Sequence, residues 1–141
     1  MTVTQAYLVR RTFAMLEQHR EVAALVFYRR LFELDPRLRP LFKADIGEQA
    51  RKLMDMLGVL VTKLDRPADL SAELQEMGAR HAGYGVRDAH YATVRAALVD
   101  MLSQTLGSAF TPEAAEAWGA LYSEVEAAMK HGAREAGLSV V

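Results

Sequence analysis

Apolar residues recur at helical spacing along almost the whole chain, and its four prolines fall only in the breaks between these stripes. Residues at i, i+4, i+7 and i+11 share one face of an α-helix, whereas a strand face takes every second residue. Leu53, Leu57, Leu60 and Leu64 have the helical spacing, and so do Leu70, Leu74, Met77 and His81. No alternating run is long enough for a strand. Proline removes a backbone donor and clashes with the preceding turn, so it belongs at helix starts and breaks. The pattern therefore predicts an all-α fold with short connections.

The helices read as follows. Thr4 to Gln18 is amphipathic. Glu21 to Leu34 is strongly apolar through Val22, Leu25, Val26, Phe27 and Phe32. Asp35 caps a short helix that Pro36 opens and Leu41 ends, and Phe42 to Ile46 is a connector. Asp45 with Glu48 three residues later has the form of a capping box for the Leu53 helix. After Arg66-Pro67 comes the helix that ends at His81, where Gly83 and Gly85 stop it. Asp88 is placed to cap a helix carrying Tyr91, Val94, Leu98, Met101 and Leu102. Thr111-Pro112-Glu113 starts the last helix, with Trp118, Tyr122, Val125 and Met129 on one face. At 141 residues the expectation is one domain, 1–141.

Composition removes whole classes of function. The formal charge of −1 gives no basic field for nucleic acid or anionic lipid. No apolar run approaches the ~18 residues of a membrane span. Met1 to Phe13 carries Arg10 and Arg11 within its apolar pattern and does not read as a signal peptide, so a cytoplasmic location is expected. Without cysteine there is no disulfide, no thiolate nucleophile, no iron–sulfur cluster and no covalent haem attachment. The four histidines, His19, His81, His90 and His131, form no metalloprotease or zinc spacing. Gly83-x-Gly85 lacks the third glycine and the strand context of a dinucleotide fingerprint.

His81 is the unusual member of its stripe, an imidazole where leucine is expected. It is either a core histidine bonded to a backbone carbonyl or a ligand for a buried metal or haem iron. Gln49, four residues before Leu53, extends that helix's apolar stripe by one turn. By pattern alone it is a partly exposed glutamine near a helix start. Tyr28, among Leu25, Phe27 and Phe32, reads as a core tyrosine whose hydroxyl needs a partner. Spacing does not show whether the three converge.

The order of these segments resembles the globin family over nearly the whole chain. Leu34-Asp35-Pro36 and Pro40-Leu41-Phe42 are similar to helix C, and Phe42 matches the phenylalanine that stacks on haem. Eight residues before Pro36, Tyr28 matches the distal position of helix B. Gln49-Ala50-Arg51-Lys52-Leu53-Met54 is similar to the start of helix E, with Gln49 as distal residue and Leu53 one turn on. Arg80-His81-Ala82-Gly83-Tyr84-Gly85-Val86 is similar to the end of helix F, with His81 as proximal ligand and sole metal ligand. His90-Tyr91 and Ala117-Trp118-Gly119 with Tyr122 match helices G and H. The likeness is to single-domain bacterial haemoglobins, flavohaemoglobin-type globin domains and neuroglobin.

The resemblance implies a globin fold, helices A–H packed around a haem pocket, holding haem b non-covalently. It implies that Phe42, Lys52, Leu53, Met77, His81, Val86, Tyr91 and Val94 line the cofactor, with Lys52 toward a propionate. Tyr28, Gln49 and Leu53 would meet the gas. Glutamine stands where most animal globins have histidine, so bis-histidine coordination is not expected. Tyr91, ten residues after His81, matches the tyrosine that polarises the proximal histidine in flavohaemoglobins. The partnering acid of helix H falls on Ala133, and Glu135 is two residues off. The implied function is reversible, high-affinity binding of dioxygen, with nitric oxide or carbon monoxide as other gases. The alternative is a nitric oxide dioxygenase served by a separate reductase, since these residues include no reductase domain. Peroxidase chemistry lacks a distal histidine base.

Overall fold

The computed structural model describes residues 1–42 and 45–139. Among these residues six α-helices carry the fold: α1 (Val3–Glu17), α2 (Arg20–Leu34), α3 (Ile46–Thr62), α4 (Pro67–Gly83), α5 (Asp88–Leu106) and α6 (Pro112–Ser139). Short 3-10 helices at Pro36–Leu41 and Gly107–Ala109 complete it, and there is no strand among the described residues. Among the described residues no helix is long and apolar enough to cross a membrane. The most extensive packing joins α4 to α6 and α2 to α5, with α1 on α6 and α2 on α3.

The helix ends follow local chemistry. Thr2 accepts the Gln5 backbone N–H at 3.0 Å while Gln5 Oε1 accepts that of Thr2 at 2.9 Å. This reciprocal cap starts α1 at Val3, one residue before the expected Thr4. Asp35 accepts the Arg37 N–H, and Pro36 opens the 3-10 helix as anticipated. Asp45 accepts the Glu48 N–H at 3.3 Å, and Ile46, expected in the connector, is already the first residue of α3. Residues 43 and 44 of that connector lie outside the described residues. Asp88 does not cap α5: it is exposed in the first turn, and Arg87 is the flanking residue. The cap bond comes instead from His90, whose Nδ1 accepts the Arg87 N–H at 2.9 Å. A residue three positions into the helix can reach back to that orphan donor, which Asp88 cannot.

The apolar stripes form one continuous core. Leu57 and Leu60 of α3, Leu70, Leu74 and Met77 of α4, and Leu98, Met101 and Leu102 of α5 are all buried in it. Trp118 anchors α6 to α1: its Nε1 donates to Thr12 Oγ1 at 2.8 Å, and that hydroxyl donates to the Leu8 carbonyl at 2.7 Å. Both polar groups are thereby satisfied inside the core, where an unmet one costs about 1–3 kcal/mol.

Candidate functional site

His81 stands half-buried near the end of α4, one turn beyond the buried Met77. Its Nδ1 lies 2.8 Å from the Met77 carbonyl oxygen. A carbonyl only accepts, so Nδ1 carries the proton and the neutral ring keeps its lone pair on Nε2. No described residue hydrogen-bonds that Nε2. Burial holds the imidazole pKa below its ordinary value, with Arg80 acting the same way and the Met77 carbonyl opposing. The side chain is therefore a neutral nitrogen base near pH 7, oriented by its own helix as metal-ligating histidines are.

The helix exit fixes the backbone of the same residue. Val86 N–H donates to the His81 carbonyl at 3.1 Å, and Gly85 N–H to that of Ala82 at 3.1 Å. This is the crossed bonding of a helix terminated by a left-handed residue. Gly85 supplies it with φ of 97°, so of the two glycines flagged in sequence Gly85 makes the turn and Gly83 is still helical. The corner rests on the 3-10 helix, where a Cβ at Gly85 would lie 3.3 Å from Leu41 Cδ2.

A second group of residues gathers between α2 and α3. Tyr28 is 5% exposed, and its hydroxyl donates to the Gln49 backbone carbonyl at 3.2 Å. The phenol thus reaches the backbone of the first turn of α3. Its ring sits edge-on to Phe27 at 5.0 Å and to Phe42 at 5.4 Å. Phe32 lies 5.5 Å from Phe42, and Arg39 covers the Phe32 ring while donating to the Phe42 carbonyl at 2.9 Å. Such edge contacts fix ring orientations and exclude water.

Desolvation pushes the Tyr28 pKa up to about 12. The unfolded value is about 10, so this residue's contribution to stability is complete below pH ~10 and is lost as pH rises through the folded value. The phenol stays a hydrogen-bond donor at any working pH. In an alkaline absorbance titration Tyr28→Phe should remove one late phenolate step and leave the exposed tyrosines unchanged. Loss of an early step instead would contradict this burial.

The other sequence candidates divide as follows. Met77 and Tyr91 are buried, while Phe42, Leu53, Val86 and Val94 are half-buried against the core. Lys52 is exposed and has no ion-pair partner among the described residues. Tyr28, Gln49 and Phe42 come together, but no hydrogen bond or ring contact among the described residues joins them to His81. Tyr91 does not hydrogen-bond His81, whose Nδ1 is taken by Met77. The Tyr91 carbonyl accepts from the Tyr122 hydroxyl at 2.5 Å, and Lys130 Nζ sits 5.3 Å from its ring centre, paired with Glu126 at 3.0 Å. Glu135 is exposed and 3.8 Å from His131, as its offset from Ala133 implies. His90 is engaged in capping α5, and His19 and His131 are exposed.

Two features escaped sequence reading. The ring contact of Phe32 with Phe42 joins α2 to the exit of the 3-10 helix, across residues that the periodicity of one helix does not relate. Gly78 and Gly132 lie buried where α4 meets α6. The available signal was a glycine inside an apolar helical pattern, which costs helix stability unless a close approach requires it.

The sequence model of the globin family matches residues 25–129. The chain belongs to the globin family. A flavohaemoprotein of Xylella fastidiosa is similar to this globin, at 30% identity over 118 residues, 82% of this chain and 30% of that protein. This globin thus spans under a third of the length of that relative. Neuroglobin of Dissostichus mawsoni is 32% identical over 139 residues, 89% of this chain and 87% of that protein. Among solved structures, an engineered carbene transferase from Rhodothermus marinus, assigned as a nitric oxide dioxygenase, superposes with a TM-score of 0.88. It is 26% identical, with 99% of this chain and 98% of that chain covered. Family membership makes this a haem globin. Its own donor chemistry fits: one neutral imidazole with a free Nε2, and a protonated phenol beside a glutamine at a helix start. The α1–α6 order reads as helices A, B, E, F, G and H, with the Pro36–Leu41 segment as C.

Proposed function

We propose that this globin, taken as one domain over 1–141, holds haem b without a covalent bond and binds dioxygen reversibly and tightly. The observation that carries this reading is the buried, protonated Tyr28 hydroxyl meeting Gln49 at the first turn of α3. Haem iron, when bound, supplies the coordination position at which a diatomic gas is held. His81 offers Nε2 from the proximal side. Tyr28 keeps its proton and can turn its hydroxyl from the Gln49 carbonyl toward the gas, while the Gln49 amide is a second donor. The phenylalanines around Tyr28 keep water from competing for those donors. Leu53 would add an apolar wall, Phe42 and Val94 would help hold the haem, and the exposed Lys52 would be free to pair with a haem carboxylate. Such an exposed pair is worth under ~1 kcal/mol.

The native ferrous protein should release dioxygen slowly on rapid mixing with a carbon monoxide solution, and a fast release would overturn the high-affinity reading. A cytoplasmic setting without nucleic-acid or membrane partners belongs to the same proposal.

A second reading is nitric oxide dioxygenase, favoured by the likeness to the Rhodothermus marinus protein. Nitric oxide, dioxygen and one electron then give nitrate, and a reductase must return the electron. Nitrate formation with a supplied flavin reductase distinguishes it from simple binding.

A further inference from the structure

Helices α4 and α6 touch backbone to backbone at two reciprocal points. A Cβ at Gly78 would lie 2.0 Å from the Met129 carbonyl oxygen, and one at Gly132 would lie 1.9 Å from that of Gln75. Ordinary van der Waals contact needs 3.4 Å or more. Since Gln75 and Gly78 are three residues apart, as are Met129 and Gly132, both contacts fall on one stripe of each helix. The two glycines therefore bring the helix axes nearer than side chains of any size permit. His81 is three residues beyond Gly78 on the same helix, and its Nδ1 bond to Met77 ties the ring to the backbone beside that crossing.

We propose that the Gly78–Met129 and Gln75–Gly132 crossing is the positioning element for the proximal histidine, so that α6 sets the strength of the iron–histidine bond. This rests on His81 being the ligand. The crossing fixes α4 at two points and leaves no slack normal to α6. A side chain at either glycine must lift α4 from α6 as a unit, and His81 with it, because the obstruction is a carbonyl that no rotamer change can move aside. Gly83 and Gly137 meet nothing within 4 Å and belong to the same two helices, so they are internal controls.

The test uses the haem-loaded protein and resonance Raman detection of the iron–histidine stretch in the ferrous state. Gly78→Ala and Gly132→Ala should each shift that band and speed haem loss to an acceptor apoprotein by about tenfold, which corresponds to ~1.4 kcal/mol. Gly83→Ala and Gly137→Ala should leave both unchanged. Met129→Ile places a β-branch at the same crossing and should give a smaller shift in the same direction, so the test survives if alanine blocks folding. In a His81→Gly protein carrying free imidazole the ligand is no longer tethered to α4, and adding Gly78→Ala should leave the iron–imidazole band in place. A Gly78→Ala or Met129→Ile protein that folds with the native band and native haem loss overturns the positioning role. So does a shift that persists with free imidazole. Absence of any histidine-dependent band in the native protein would refute the ligand assignment of His81 itself, a separable outcome.

Discussion

Replacing His81 by glycine should strip the proximal bond from the haem, and added imidazole should restore it. The Nδ1 proton is committed to the Met77 carbonyl, so Nε2 is the nitrogen left for the iron. Losing an outer-shell partner alone typically costs about 10–100-fold in metal affinity, and loss of the ligand itself should exceed that. The variant should keep its helices, because glycine follows at Gly83 and the exit bonds from Val86 and Gly85 use only backbone atoms. His90 is the competing candidate, yet its Nδ1 accepts the Arg87 N–H at the start of α5. His90→Ala should lose about 1 kcal/mol of cap stabilisation and retain the native haem spectrum. The measurement is the Soret band of both variants with and without imidazole. If His90→Ala lost the native spectrum while His81→Gly kept it, the proximal assignment would fail, and with it the distal residues counted from the same register.

What was legible in the sequence is what depends on short-range periodicity. Leu57, Leu60, Leu70, Leu74 and Met77 are buried as their spacing requires, and Pro36, Pro67 and Pro112 are the first residues of their helices, while Pro40 lies inside the 3-10 helix. The fully buried Met54 and the buried Val61 fall beside the leucine stripe of α3, because a helix facing two neighbours buries more than one row of side chains. The Met77 bond to His81 is local, an i to i+4 relation, and follows from helix geometry once the ring is known to turn inward. The Tyr28 contact with Gln49 is different: 21 residues and a helix boundary separate them, and no periodicity relates one helix to the next. The same holds for Gly78 and Gly132. A glycine in a helix signals a close neighbour without saying which element supplies it. The relation of Tyr91 to His81 likewise depends on more than spacing. Correct spacing put the tyrosine in the core, but a backbone carbonyl nearer in the chain had already taken the imidazole proton.

The distal pair should show the largest kinetic effect. Tyr28→Phe removes a hydroxyl and preserves the ring, so the edge contacts with Phe27 and Phe42 remain and the fold should be unaffected. The Gln49 carbonyl loses only a supplementary partner, because it lies within the first turn of α3 and keeps its helical bond. A hydrogen bond from Tyr28 to an acceptor bearing partial negative charge would contribute about 1.5–3 kcal/mol in a dry pocket. Each ~1.4 kcal/mol is a factor of ten in dissociation. Tyr28→Phe should therefore speed release by about 10- to 100-fold. Gln49→Leu, a substitution of similar length without donors, should speed it by a smaller factor, because the half-buried glutamine exchanges with solvent more readily than the buried phenol. Tyr28 bonds the Gln49 backbone and both side chains would serve one gas molecule, so their effects should not multiply. The double variant should release dioxygen faster than either single one but slower than the product of their factors predicts. Stopped-flow release from the four ferrous proteins closes the cycle. Equal rates in all four would leave the gas without a partner from α2 or α3, and the two-donor pocket would have to be abandoned.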